Sequence, residues 1–180
     1  MTRYIAFLRG INVGGKNIIK MNELSDVFNH MGFEQVKTFI QSGNVIFNSE
    51  SDDSDQIAKL IEEQLWRIME YEIPVIVRSV RALENLIGQD PFKSYMKDPE
   101  LKLYVCFLKR RPDKIPPLPL ISIKEGLEVF QISDLYAFIV SRKVKSMYGF
   151  PNNFIEKELR IPATTRNWNT IIRLIGSNND

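Results

Sequence analysis

Apolar residues fall in short blocks along the chain, and their spacing predicts most of the elements. The run Tyr4-Ile5-Ala6-Phe7-Leu8, followed by a glycine turn, reads as a buried strand. From Met21 the period changes. Met21, Leu24, Val27, Phe28 and Met31 lie three and four apart, on one face of a helix that Gly32 would stop. Residues 36–39 and 44–48 read as strands. Gln41-Ser42-Gly43-Asn44 between them is either a hairpin turn or a glycine bulge in a longer strand. The acidic stretch 50–55 opens a second helix. There Asp53 with Gln56 has the spacing of a capping box, and Ile57, Leu60, Ile61, Leu65 and Ile68 form the buried face. Residues 74–77 make a further strand.

The second half is patterned in a similar way. Ser79 can cap a short helix carrying Val80, Leu83, Leu86 and Ile87, which Gly88-Gln89-Asp90-Pro91 breaks. Residues 103–108 are a strand. Residues 110–119 are proline-rich and can hold neither a central strand nor a helix. Residues 129–132 and 135–140 pair as a hairpin across Ser133-Asp134. Residues 154–159 read as helix with Asn152 or Asn153 as cap. A short link at 161–164 then leads to a last helix from about Asn167 to Ile175.

Strand, helix, strand, strand, helix, strand is the order of a split βαβ unit. The expected fold is therefore α+β: two ferredoxin-like halves, with mostly antiparallel sheets and helices packed on one face. Residues 1–79 form the first half and residues 80–180 the second, packed together as one compact unit. The second half echoes the first in pattern only, without a residue-level repeat.

Composition adds limits. The 180 residues are 44% hydrophobic and 26% charged, which is enough for a packed core. With 24 basic and 22 acidic residues the net charge is +2, less basic than a strong polyanion binder, so any nucleic-acid role must rest on a local patch. Arg9 cuts the first apolar run too early for a signal peptide, and no run approaches the roughly 20 residues of a membrane helix. Cys106 is the only cysteine, which fits a reducing compartment. A cytoplasmic protein is expected, with no membrane association, no metal and no cofactor.

Three polar clusters carry the candidate chemistry. The first follows the first strand and contains Arg9, Gly10, Asn12, Gly14, Gly15, Lys16 and Asn17. Gly10, four residues, Gly15 and Lys16 match a phosphate loop, whose backbone N–H groups cradle phosphates. However, Asn17 stands where a magnesium-binding Ser or Thr belongs, residues 18–20 read as extended rather than helical, and no strand ends in a metal-binding Asp. A triphosphatase is set aside. An anion-binding concavity remains, beside the plainer reading of a glycine turn that needs positive φ. The second cluster, with Gln41, Ser42 and Asn44, is turn chemistry or a second wall of the same pocket. The third, with Arg166, Asn167 and Trp168, is a capped helix start with a core tryptophan, or an anion site with a stacking ring.

Other chemistries are excluded by count or spacing. One cysteine and one histidine cannot build a Cys/His zinc site. Cys106 lies mid-strand among apolar residues and reads as inert core. His30 sits at the end of the first helix, where it would meet the terminal carbonyls. There is no Gly-x-Ser-x-Gly elbow, and the acidic stretch lacks calcium-loop spacing. The basic runs Lys109-Arg110-Arg111 and Arg142-Lys143-x-Lys145 read as solvated faces.

Leu8-Arg9-Gly10-Ile11-Asn12-Val13-Gly14-Gly15-Lys16-Asn17, with Met21 and Leu24 behind it, resembles the opening of the bacterial domain-of-unknown-function family 1697. So do Gly32-Phe33, Thr38-x-Ile40-Gln41-Ser42-Gly43-Asn44-Val45 with Phe47, Glu156-Lys157, and the stretch 163–170. The resemblance implies an α+β fold of two ferredoxin-like halves. It also marks the three polar clusters as the family's signature, and it implies no activity.

The leading expectation is a binding module for a phosphate-bearing ligand, a nucleotide or RNA, through the loop after the first strand. The alternatives are a small-molecule enzyme drawing on Glu156 or Tyr148, and a purely structural role for the signature.

Overall fold

The computed structural model describes residues 1–15, 17–96 and 98–177. The chain divides into two units, Met1–Glu84 and Asn85–Asp180. The first runs β1 (Thr2–Leu8), α1 (Met21–His30), β2 (Glu34–Phe39), β3 (Asn44–Ser49), α2 (Ser54–Met69) and β4 (Val75–Ser79), and ends inside α3 (Val80–Gly88). Its sheet has the order β2-β3-β1-β4, every pair antiparallel. Strand alternation sends Tyr4, Ala6, Leu8, Val45, Phe47, Val75 and Val77 to one face, where they join Leu24 and Phe28 of α1 and Ile57, Ile61 and Leu65 of α2 in one core. Phe47 is the hub, with ring centroids 4.5 Å from Phe33 and 5.4 Å from Phe28.

Local chemistry fixes the helix starts. An Asp53 carboxylate oxygen accepts from the backbone N–H of Asp55 and of Gln56, each at 3.0 Å. The backbone N–H of Lys20 donates to Glu23 at 3.3 Å at the head of α1. The buried stripe of α2 is narrower than its periodicity predicts. Leu60 and Ile68 are 39% and 55% exposed, because they edge a groove toward α1 instead of facing the sheet.

The second unit continues with β5 (Lys102–Leu108), β6 (Leu120–Ser122), β7 (Leu127–Ser133), β8 (Tyr136–Ser141), β9 (Lys143–Val144), β10 (Met147–Tyr148), α4 (Asn152–Leu159), β11 (Ala163–Asn167) and α5 (Trp168–Gly176). Its main sheet is antiparallel in the order β11-β5-β8-β7-β6. Among the described residues, the antiparallel sheets and five helices make the chain α+β. The second unit departs from a split βαβ pattern where prolines and β6, not a helix, join β5 to β7, and where the hairpin of β9 and β10 stands between β8 and α4. Asn152 does not cap α4. Pro151 precedes the helix, and the buried Asn152 side chain accepts from the Thr165 hydroxyl at 3.0 Å. The link expected at 161–164 runs into the strand β11, which begins at Ala163.

The strand registers expose a repeat at residue level that pattern reading misses. Tyr4-Ile5-Ala6-Phe7-Leu8-Arg9 corresponds to Tyr104-Val105-Cys106-Phe107-Leu108-Lys109. Ile5 pairs with Arg78 across β1 and β4, and Val105 with Arg166 across β5 and β11. The surrounding bonds repeat as well. The backbone N–H of Leu8 donates to Gly43 at 2.8 Å and that of Leu108 to Leu135 at 2.9 Å; those of Arg9 and Lys109 donate to Pro74 and Pro162, both at 2.9 Å. Glu62 accepts from the N–H of Val75, and Glu156 from that of Ala163, both at 2.8 Å. Each half closes on a buried arginine, Arg78 or Arg166, whose guanidinium donates to the carbonyl of the residue before it. A capping side chain, Ser79 or Asn167, then starts a helix.

Candidate functional site

The loop after β1 is anchored where it leaves the sheet by the bonds of Leu8 to Gly43 and of Arg9 to Pro74. Gly10, Gly14 and Gly15 have φ of 70°, 59° and 72°, and a Cβ on any of them would meet nothing within 4 Å. Their role is backbone freedom on an open surface, not close packing. Asn12 and Asn17 share the left-handed region at 56° and 52°, which asparagine tolerates.

Asn12 is the clamp of the loop. Its amide donates to the carbonyl of Ile19 at 3.0 Å and to that of Gln41 at 3.1 Å, while its side-chain oxygen accepts from the N–H of Ile19 at 2.9 Å. Asn17 donates to the carbonyl of Gly10 at 3.2 Å. In the hairpin between β2 and β3, Asn44 is fully buried and donates to Phe39 at 3.1 Å and to the Ser42 hydroxyl at 2.9 Å. Gly43 is required twice over. Its φ is 73°, and a Cβ would stand 2.9 Å from the Ile11 side chain. The first two clusters therefore meet, and much of their polarity is spent on joining the two loops.

Beside this junction lies a cleft of about 530 Å³, whose walls include Asn12, Gly15, Ile18, Lys20, Asn22 and Gln41. Ile18, Lys20 and Asn22 escape sequence reasoning, because they belong to the extended segment and first turn beyond the glycine loop. The only signal was that residues 18–20 do not continue as helix. Lys20 is exposed and stands 3.7 Å from Glu23. Lys16 lies outside the described residues. The helix begins at Met21 and β1 has only antiparallel neighbours, so the geometry of a triphosphatase phosphate loop is absent here.

The third cluster belongs to the second unit. Arg166 is buried in β11, donating to the Thr164 hydroxyl and to the Thr165 carbonyl, both at 2.9 Å. Burial pushes its guanidinium down to about 10, still protonated at neutral pH. Asn167 caps α5 by accepting from the N–H of Asn169 at 3.0 Å. Trp168 is 2% exposed and packs 5.1 Å from Phe92, so its ring is core. Inside α5 the buried face is Trp168, Ile171, Leu174 and Ile175, with Ile172 turned outward.

Cys106 is buried, with its sulfur 3.2 Å from the Thr165 hydroxyl. His30 Nδ1 lies 2.7 Å from the carbonyl of Asp26. A carbonyl only accepts, so Nδ1 carries the proton and donates. Glu156 ties α4 to β11, and the Tyr148 hydroxyl donates to the carbonyl of Glu100 at 2.7 Å. Among the described residues no group of three His, Cys, Asp or Glu could hold a metal, and no helix is long and apolar enough to cross a membrane.

Comparison with known proteins gives a family and a fold. The family described as "Protein of unknown function (DUF1697)" matches residues 1–137. Its match takes in the first two clusters and stops before the third. Among solved structures the chain is similar to that of conserved bacterial protein SP0830 from Streptococcus pneumoniae, with 21% identity and a TM-score of 0.66 over 97% of each chain. At that identity the likeness is one of fold. No curated protein matches.

Proposed function

The chain belongs to the DUF1697 family of proteins of unknown function, and from that premise we propose that it is a binding module whose first unit takes a phosphate-bearing ligand, a nucleotide or a stretch of RNA. The observation that carries the reading is the cleft of about 530 Å³ between the glycine loop and the head of α1. Left-handed glycines leave its rim without side chains, so a ligand can approach the backbone closely. Lys20 supplies positive charge at its edge. The clamp of Asn12 holds the walls in place before any ligand arrives. The ligand-facing groups are then Gly15, Lys20, Asn22 and Gln41, of which Gly15 and Gln41 belong to the signature.

A second reading rests on the same asparagines. Asn12, Asn17 and Asn44 are bonded within the loops, which favours a structural role for that part of the signature. Calorimetric titration with nucleoside mono-, di- and triphosphates and with short RNA, at low and higher salt, tests the proposal. A specific complex weakens with salt in proportion to its phosphate contacts, and Lys20→Ala reduces its affinity. Absence of any binding at low salt overturns the binding reading and leaves the structural one.

A further inference from the structure

The internal repeat marks what the second unit has beyond the fold's needs. In the first unit β3 reaches α2 through residues 50–53, whereas in the second β8 reaches α4 through residues 142–151, which carry the hairpin of β9 and β10. This insertion faces the start of β5. The Lys102 ammonium lies 4.4 Å from the Tyr148 ring centre, and the Lys143 ammonium lies 5.5 Å from the same ring. The rings of Phe150 and Tyr104 meet at right angles, 5.7 Å apart and at 86°, and Phe150 is 58% exposed. Lys102 and Tyr104 share a face of β5, so Tyr148 and Phe150 line up along them. Among the described residues, neither ammonium is in an ion pair. Lys145 adds a third exposed cation at the hairpin turn.

The hairpin is held firmly. The Ser141 hydroxyl donates to the Gly149 carbonyl at 3.0 Å, Tyr148 is bonded to the backbone of Glu100, and Gly149 lies so close to the Glu125 carbonyl that a side chain could not fit. Two like charges converging on one ring, beside an open aromatic face, suit a chain of phosphates alternating with flat bases.

We infer that Lys102, Lys143 and Phe150 form a binding site for single-stranded nucleic acid on the second unit, the two ammoniums taking backbone phosphates and Phe150 stacking on a base. The site is built from residues of the second unit alone. Fluorescence anisotropy with a labelled oligouridylate, over a series of salt concentrations, reads it directly. With Lys102→Ala and Lys143→Ala together, the log–log salt dependence becomes shallower by about 1.4, at roughly 0.7 per phosphate on a single strand. Phe150→Ala weakens binding by about tenfold and leaves that slope unchanged, whereas Phe150→Trp retains affinity. Lys102→Arg with Lys143→Arg keeps the slope, which separates lost charge from lost fold. Made in a Lys20→Ala background, which weakens the cleft beside α1, the same substitutions keep their effects on oligouridylate binding, so the two sites fail separately. No binding at low salt, alanine variants that bind as the wild type does, or binding to anionic phospholipid vesicles without binding to the oligonucleotide would each overturn the inference.

Discussion

Asn12 makes three hydrogen bonds with one side chain while its own backbone is left-handed at φ 56°. Two separate terms are therefore lost in Asn12→Ala: the bonds, at about 1 kcal/mol each when net of water, and the tolerance of a left-handed backbone that asparagine's short polar side chain gives and alanine's does not. The variant should lose about 3 kcal/mol or more in urea unfolding. Asn12→Gly should lose less by about the backbone term. Equal losses would show that the conformation contributes nothing. Arg166 is the contrasting residue. It is a buried cation whose bonds go to Thr164 and Thr165. Arg166→Ala leaves those acceptors without their donor and is expected to lose about 2–3 kcal/mol, with nucleotide affinity unchanged in whatever fraction remains folded. A variant of wild-type stability that no longer binds would return Arg166 to the ligand site.

Elements whose code is local were legible in the sequence. Asp53 announces α2, and the structure places its carboxylate on the first N–H groups of that helix. Asp53→Ala is expected to cost about 1 kcal/mol, read as a lower thermal midpoint, while Asp53→Ser or Asp53→Asn keeps most of the stability. The strands at Tyr4 and Leu103 and the hairpin across Ser133-Asp134 were equally plain, because apolar runs and turn residues sit side by side. What was hidden depends on partners distant in sequence. β6 forms only because β7 offers it a ladder, with Leu120 opposite Val129. Leu60 and Ile68 keep a helical period yet stay exposed, since the period does not say how wide a stripe the sheet covers. Asn152 looks like a cap and is instead a buried acceptor for Thr165. The candidate site divides in the same way. The glycine loop was visible from composition. Its junction with the hairpin, the contribution of Ile18, Lys20 and Asn22, and the repeat between Tyr4 and Tyr104 needed the registers.

At the scale of the whole molecule, alkali acts on stability in two opposed ways, and the sign of each can be worked out. Burial raises the hydroxyls of Tyr4, Tyr71 and Tyr104 above the ordinary 10.0. The unfolded chain therefore loses these protons first. The stability they supply is complete below pH 10 and is lost as the pH climbs through the raised values. Arg166 acts oppositely. Its folded value of about 10 lies below the ordinary 12.5, so the unfolded state holds the extra proton between them and stability gains there. The two effects oppose each other, and the tyrosine part is read on its own by absorbance. Tyrosinate should form at higher pH in the folded protein than in the urea-unfolded chain, and coincident titrations would contradict it. One further property of the whole follows from the stretch that resisted assignment. Ile121 and Ile123 stand 60% and 85% exposed at the open side of the five-stranded sheet. A longer apolar strand there would recruit its counterpart on another molecule. Pro116, Pro117 and Pro119 carry no N–H to extend the ladder, and β6 stops at three residues. The prolines that obscure the fold in the sequence thus act as its guard against self-association.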